Sequence, residues 1–300
     1  MRVAVERYSL EDGLGERRIA FDPDRGRVEI LELAPALGAL PRAEVLLREQ
    51  MARLANLTGR VAPAYDLACR DGRLQIMSAA PDGIRLSEVL ARVVAQSQQL
   101  PGTLVYTIAR ELTSALAAVH REPGGLAHGL LSPEHVVLTP GGGVLLTDAL
   151  PGVLVAQLGL NREHLWTDFR LLLPPSATLP SLDRRSDVAQ LGASILALAL
   201  ARPLRADDRS HLIELVASIL TDVEVSRLNQ AAALRIWLHR ALQLPARRIY
   251  SDALDAEPEL AAVLGTVPSG RGIRQVRALV QDLVPSQGDG ADIPTSALFP

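Results

Sequence analysis

Between Ala127 and Leu150 the chain reads AHGLLSPEHVVLTPGGGVLLTDAL, which gathers His128, Ser132, Glu134, His135 and Asp148 within two dozen residues. A serine, a histidine and an aspartate are the ingredients of nucleophilic acyl transfer, with Ser132 attacking, His128 or His135 as base and Asp148 orienting it. Zinc chemistry is a poorer match. The six histidines (His120, His128, His135, His164, His211 and His239) lack the tight spacing of a ligand set, and Cys69 is the sole cysteine. Gly13-x-Gly15 is a weak phosphate-loop signal, and such a pair is usually just a turn. The missing chemistry is as informative. The 300 residues contain no lysine, so all 31 cationic side chains are arginine.

The elements that must carry these residues fall into two halves. The first 77 residues read as strands plus one helix. Arg17 to Phe21 and Arg27 to Leu33 flank the turn Asp22-Pro23-Asp24-Arg25-Gly26, and Tyr65 to Cys69 and Arg73 to Met77 flank Asp71-Gly72. Ala43 to Leu57 reads as a helix with Val45, Leu46, Met51, Leu54 and Leu57 on one face. After a connector from Ser78 to Gly83 the chain turns helical. Leu86 to Val94 is short. Thr103 to Arg121 is long, with Leu104, Ile108, Leu112, Leu116 and Val119 at helical spacing, and stops at Pro123-Gly124-Gly125. Two strand-like runs, Val136 to Leu138 and Val144 to Leu146, surround Pro140 to Gly143. Helices follow at Asp187 to Ala201, His211 to Leu220, Ala231 to Leu242, Pro258 to Leu264 and Ile273 to Leu283. The polar end from Ser286 to Pro300 reads as a mobile tail.

Composition narrows the function classes. Hydrophobic content of 48% against 22% charged residues describes a globular chain. A net charge of −3 without a basic block gives no support for nucleic-acid binding. One cysteine permits no internal disulfide and suggests a reducing, cytoplasmic setting. No stretch of 18 uncharged apolar residues is present to span a bilayer, and MRVAVERYSLEDG has no apolar signal core.

The segment from Ala127 to Leu150 resembles the catalytic segment of the protein kinase superfamily. The family's His-Arg-Asp, Leu-Lys-Pro-Glu-Asn and Asp-Phe-Gly are matched by His128-Gly129-Leu130, Leu131-Ser132-Pro133-Glu134-His135 and Asp148-Ala149-Leu150. The 18 residues from Leu130 to Asp148 are close to the family separation. The flanks match as well. ALAAVH (Ala115 to His120) resembles the end of the preceding helix. SDVAQLG (Ser186 to Gly192) resembles the start of a later one, where Asp187 would bond backbone amides of the catalytic loop or simply cap its helix. QLPARRIY (Gln243 to Tyr250) puts Arg248 at a family arginine whose usual glutamate partner is absent from Leu173-Pro174-Pro175-Ser176. The resemblance covers about residues 10 to 265, and its style looks bacterial. It implies an α+β bilobal kinase-like fold: a β-rich N-lobe at 1–77, a helical C-lobe at 78–265, and a C-terminal helix and flexible tail at 266–300.

The same resemblance implies lost chemistry. Phosphoryl transfer is mostly positioning and charge stabilisation. The phosphate lysine falls on Leu31, the catalytic base on Leu130, the catalytic-loop lysine on Ser132 and the second metal ligand on His135, a poor match for magnesium. Only Asp148 keeps its metal-binding type. Glu49 or Gln50 takes the place of the helix glutamate. A remnant nucleotide cleft would involve Gly15, Met77, Val137 and Asp148, with Asp12 where a phosphate-loop glycine belongs. Arg17, Glu29 and Val137 fall where the family holds adenine, and Arg17 could pair with Glu29 and fill that space. Gly129 replaces the arginine that reads a phosphorylated activation loop, here Asn161 to Pro180. The expectation is an inactive kinase-like regulatory or scaffolding module. It needs no cofactor, and its partner is a protein, such as an active kinase; the C-terminal helix and tail are candidate contact elements. The alternative is a divergent enzyme that binds Mg-ATP through Asp148.

Overall fold

The computed structural model describes residues 6–57, 59–174, 179–219, 228–244, 248–265 and 269–283. The tail from Ser286 onward, and Pro175 and Ser176, lie outside them.

An antiparallel sheet forms the N-terminal part, in the order β1-β2-β3-β5-β4. Its strands are β1 (Glu6–Ser9), β2 (Gly15–Asp22), β3 (Gly26–Leu33), β4 (Ala64–Arg70) and β5 (Arg73–Ala79). β1 has no counterpart in the sequence reading. The two hairpins form where turn chemistry asks for them. The Asp22 carboxylate accepts from the amides of Asp24 and Arg25, and Asp71 and Gly72 both take positive φ, as a two-residue turn requires. Between β3 and β4 lie a short helix α1 (Pro35–Gly38) and helix α2 (Ala43–Leu54). The buried stripe of α2 is Ala43, Leu47 and Gln50, while Val45 is exposed. Of the expected face, Leu57 is buried and Leu46, Met51 and Leu54 pack against the core, so Val45 alone falls outside it. The spacing 43, 47, 50 is the helical period that meets the sheet.

The helical part begins with β6 (Ile84–Arg85), α3 (Leu86–Ala95) and α4 (Gly102–Arg121). A 3₁₀ turn (Pro133–His135) leads into the hairpin β7 (Val136–Leu138) and β8 (Val144–Leu146), and β6 pairs with β7. Then come α5 (Gly152–Gln157), α6 (Arg162–Phe169), α7 (Arg184–Ala199), α8 (Leu212–Ser218), α9 (Leu228–Ala241), α10 (Ala253–Leu264) and α11 (Ser269–Leu283). Helix α7 is buried from Ser186 to Leu198, which explains its apolar sequence. Its cap is Asp183, in a capping box with Ser186, so Asp187 is free for another role. Helix α11 turns Val276 and Val280 into the core beside α4, so its apolar face is already spent inside the chain.

Two hydrophobic cores result. One surrounds α4, α7, α9 and α10. The other joins the sheet (Leu31, Leu33, Ile76) and α2 (Leu47) to the segment after Asp148 (Leu150, Leu154, Leu165, Phe169) and to Leu130. The stretch expected as an activation loop is thus partly helical and shares a core with the N-terminal sheet.

That packing leaves no room above Gly13. Its φ is +62°, and an added Cβ would lie 2.2 Å from the carbonyl oxygen of Asp168 in α6. Gly26, at φ +77°, has nothing within 4 Å. Gly13→Ala is expected to destabilise the chain by about 2–3 kcal/mol in chemical denaturation. Gly26→Ala should cost only the ~1 kcal/mol of left-handed backbone. Equal losses would show that α6 does not pack on this loop.

Candidate functional site

Strand alternation decides what faces the interlobe cleft. On β2, Arg17 lies opposite Leu31 of β3, and Glu29 is two residues along on the same face. All three are buried. The loop before β2 brings in Asp12, β6 brings Arg85, and the two chain segments flanking β7 and β8 bring His135 and Asp148.

Arg17 is the hub. Only 1% of it is exposed. Its Nη2 lies 2.8 Å from Asp12 Oδ2 and 3.0 Å from Asp148 Oδ1, and its Nε lies 3.4 Å from Glu29 Oε1. These are charge contacts: none of the guanidinium nitrogens meets an oxygen with hydrogen-bond alignment. Arg85 is better aligned. Its Nη2 donates to Glu29 Oε2 at 3.0 Å, and its Nη1 donates to the Glu134 carbonyl at 2.7 Å and to Thr147 Oγ1 at 3.1 Å. Tyr8, from β1, donates to Glu29. The pair proposed from sequence, Arg17 with Glu29, therefore exists within a larger cluster. It lies on the sheet face that carries Leu31, and Val137 of β7 is buried as well.

His135 completes the charge balance. Its Nδ1 lies 2.5 Å from the Leu130 carbonyl oxygen and its Nε2 lies 3.0 Å from Asp12 Oδ2. Both nitrogens must donate, so the ring is an imidazolium. Burial opposes that charge, yet the bond to Asp12 and the charges of Asp148 and Asp12 outweigh it and hold the pKa above the usual histidine value. Three carboxylates (Asp12, Glu29, Asp148) then face three cations (Arg17, Arg85, His135). Asp148 responds in the opposite sense. Burial would raise its pKa, but Arg17, His135 and Arg85 hold it far below the ordinary carboxylate range. Asp12 is likewise lowered despite burial, chiefly by His135.

A separate scaffold holds the loop in place. Asp187 Oδ2 accepts from the His128 amide at 2.7 Å and its Oδ1 from the Gly129 amide at 2.8 Å, the first of the two roles open to it from sequence. His120 Nε2 also meets Asp187, at 3.0 Å. His128 accepts from the Leu130 amide through Nδ1 and donates through Nε2 to the Thr147 carbonyl, 3.0 Å away. That is a neutral ring, and burial above all pushes its pKa down to about 4.

The other expected positions are placed as follows. Leu31 is buried and lines a cavity of about 170 Å³ with Met51, Leu54, Ile76 and Asp148, so an apolar cavity wall stands where a lysine–glutamate pair was sought. Glu49 is exposed, 4.0 Å from Arg42, and Gln50 Nε2 reaches the Ala127 carbonyl at 3.5 Å. Met77 alternates away from Ile76 and Ser78, which line that cavity, and so is off the cleft face. Gly15 starts β2 with an added Cβ only 2.0 Å from the Glu32 carbonyl oxygen, which is close strand packing rather than an open loop. Leu130 is a core residue. Ser132 Oγ lies 3.2 Å from His135 Nδ1, but that nitrogen carries a proton and cannot act as a base, so the acyl-transfer arrangement fails. A magnesium ion does not fit either. Asp148 is ringed by guanidinium and imidazolium groups, and the ion prefers hard oxygen ligands. Among the described residues no cluster of three His, Cys, Asp or Glu side chains is arranged for a metal. The sequence reading missed Arg85 and Tyr8; an arginine inside the apolar run Ile84-Arg85-Leu86 was the available signal.

No protein-family model and no curated protein sequence matches the chain. Solved structures do. The kinase domain of Mycobacterium tuberculosis PknI superposes with a TM-score of 0.57 at 21% identity, covering 83% of this chain and 91% of that one. A double-mutant form of the same domain gives 0.58 at 23% identity, covering 85% and 92%. The chain therefore has a bilobal protein kinase-like fold, and no described helix is long and apolar enough to cross a membrane.

Two of the buried histidines, His135 and His128, have opposite linkage to folding. His135, with its pKa raised, stabilises fully below 6.5 and loses that contribution as pH rises through its folded value. His128, with its pKa depressed, stabilises fully above 6.5 and loses that contribution as pH falls toward about 4. Asp12 and Asp148 add a further loss below 3.8. Stability should peak near pH 6.5, with each limb falling by up to about 1.4 kcal/mol per pH unit. Urea denaturation across pH 4–9 checks this. His135→Gln should flatten the alkaline limb and His128→Asn the upper acid limb; unchanged limbs would contradict the assignment.

Proposed function

On this protein kinase-like fold, we propose that the chain is a catalytically inactive regulatory or scaffolding module that works by binding another protein, such as an active kinase. The observation that carries this reading is the buried Arg17 guanidinium set among Asp12, Glu29 and Asp148. A nucleotide would have to displace those ion pairs and leave the carboxylates facing its phosphates. Removing one partner from a buried pair costs about 3–5 kcal/mol, and here several are coupled.

The residues at the chemical positions support the same reading. Leu31 offers no cation to a triphosphate, and Leu130 cannot accept a proton. Ser132 brings no charge, and His135 is an imidazolium committed to Asp12. Losing one electrostatic element of such a site costs roughly 10²–10³ in rate. Losses within a single constellation are not additive, but four leave little to build on. Asp148, the residue of retained type, serves as a counter-ion for Arg17 instead of a metal ligand.

Two measurements test the proposal. Titration of Mg-ATP into the protein should give no binding heat, and incubation with γ-labelled ATP should transfer no label. Saturable heat that disappears in Asp148→Ala would overturn it, as would labelling free of contaminating kinase. With no nucleotide present, Asp148→Ala should itself lower stability by about 3–5 kcal/mol, because Arg17 then loses a buried partner. A phosphotransferase with an open cleft would tolerate that change at little cost in folding.

A further inference from the structure

Helix α11 is docked through its small and apolar side. Val276 and Val280 are buried in the core beside α4. Gly272 lies so close to α4 that an added Cβ would be 1.8 Å from Thr107 Oγ1. Thr103 Oγ1 donates to Gln275 Oε1 at 2.6 Å, and Arg92 of α3 donates to the Leu283 carbonyl at 3.0 Å. The outward side is thereby held in one orientation, and it is basic. Arg271, Arg274 and Arg277 are all exposed, and their spacing of three residues sets them about 4.5 Å apart along the axis.

These charges do not serve the helix that carries them. The first turn of a helix favours acidic side chains and the last turn basic ones. In α11 neither is present, and Arg271 stands in the first turn while Asp282 stands near the other end. Among the described residues none of the three arginines has an acidic group within 4 Å. Arg277 donates from Nε to the Gly141 carbonyl at 2.9 Å, which leaves most of its N–H donors unused. On α4, Glu111 is taken by Arg60 at 3.3 Å, and the adjacent Arg110 is a further half-buried cation. The outward side of α11 is therefore a fixed row of uncompensated guanidinium groups.

We propose that this arginine row is the docking surface for an acidic segment of a partner protein, one whose carboxylates recur at helical spacing. Guanidinium forks pair bidentately with carboxylates, and a row already held in place loses little freedom on binding. An anionic lipid surface fits less well. Between its charges α11 exposes Ala278 and Gln281, with no exposed large apolar side chain to insert. The proposal rests on the reading of the chain as a protein-binding module, and adds the surface used and the charge of the partner.

The probe is a fluorescein-labelled, alanine-based helical peptide with a glutamate at every third position, and its glutamine counterpart is the control. Fluorescence polarisation on the full chain at low salt should show saturable binding about tenfold or more tighter than the control peptide, weakening as salt is added. Arg271→Gln with Arg274→Gln should weaken it about tenfold, with the melting temperature unchanged or raised. Arg7→Gln with Arg42→Gln removes the same charge from the N-terminal part and should leave the affinity unchanged. Equal affinity for the two peptides would overturn the proposal, as would equal losses in the two double variants. A lower melting temperature for the α11 variant would make the row structural, and binding to phosphatidylglycerol vesicles without binding to the peptide would make it a membrane contact; either overturns the proposal. Mg-ATP titration of the α11 variant separates this failure from that of the inactive-module reading, which fails only if nucleotide binds.

Discussion

A guanidinium cut off from water must be neutralised where it sits, because the low-dielectric interior makes an unmatched charge prohibitively costly. Arg17 imposes that condition on the centre of this protein. Its counter-ions come from three parts of the chain: Asp12 just before β2, Glu29 across the hairpin in β3 and Asp148, far along the chain, after β8. Each must be delivered within about 3 Å, so the sheet, the loop preceding it and the helical part are held in one arrangement. Arg85 and His135 exist in the same cluster for the same reason. Without them three carboxylates would share one cation.

The loop that would otherwise be free to cover a ligand is consequently part of the packing. Asp12 is tied to His135 and Arg17, Leu14 is fully buried, Gly13 lies against α6, and Glu11 meets Arg170. The segment after Asp148 closes from the other side and enters the same core as Leu31 and Leu47. Leu31 and the ionic packing at Arg17 are cross-strand neighbours on one sheet face and complement each other. One puts an apolar side chain where a phosphate would seek a cation, and the other gathers three carboxylates around a buried guanidinium.

The scaffold around the loop does not depend on the residue types at the chemical positions. Asp187 still gathers the His128 and Gly129 amides, and His128 still bridges to Thr147. These contacts satisfy buried backbone groups, so they are needed for folding whatever the site does. That is why motif resemblance was a sound guide to architecture. Likewise, the turn residues at Asp22 and Asp71-Gly72 and the apolar stripe of α4 were legible because they act locally. The inward turn of Gln50 on α2, the helix α6 inside an expected loop, and β1 were not. Each depends on what the element packs against, and short apolar runs carry too little period to say.

The sequence by itself determined that a phosphate-binding ammonium is absent, since no rearrangement can supply a lysine the chain does not contain. It also determined which residue types stand at the catalytic positions, and through the hairpin turn and strand alternation it brought Arg17 and Glu29 onto one sheet face. Only the tertiary structure decided how those charges are used. Asp12, Arg85, His135 and Asp148 are separated by up to 136 positions, and charge pairing at 3–4 Å has no signature in linear spacing. Whether His135 is an imidazolium, and whether Asp148 faces an arginine or a metal, depends on which groups the fold places beside them.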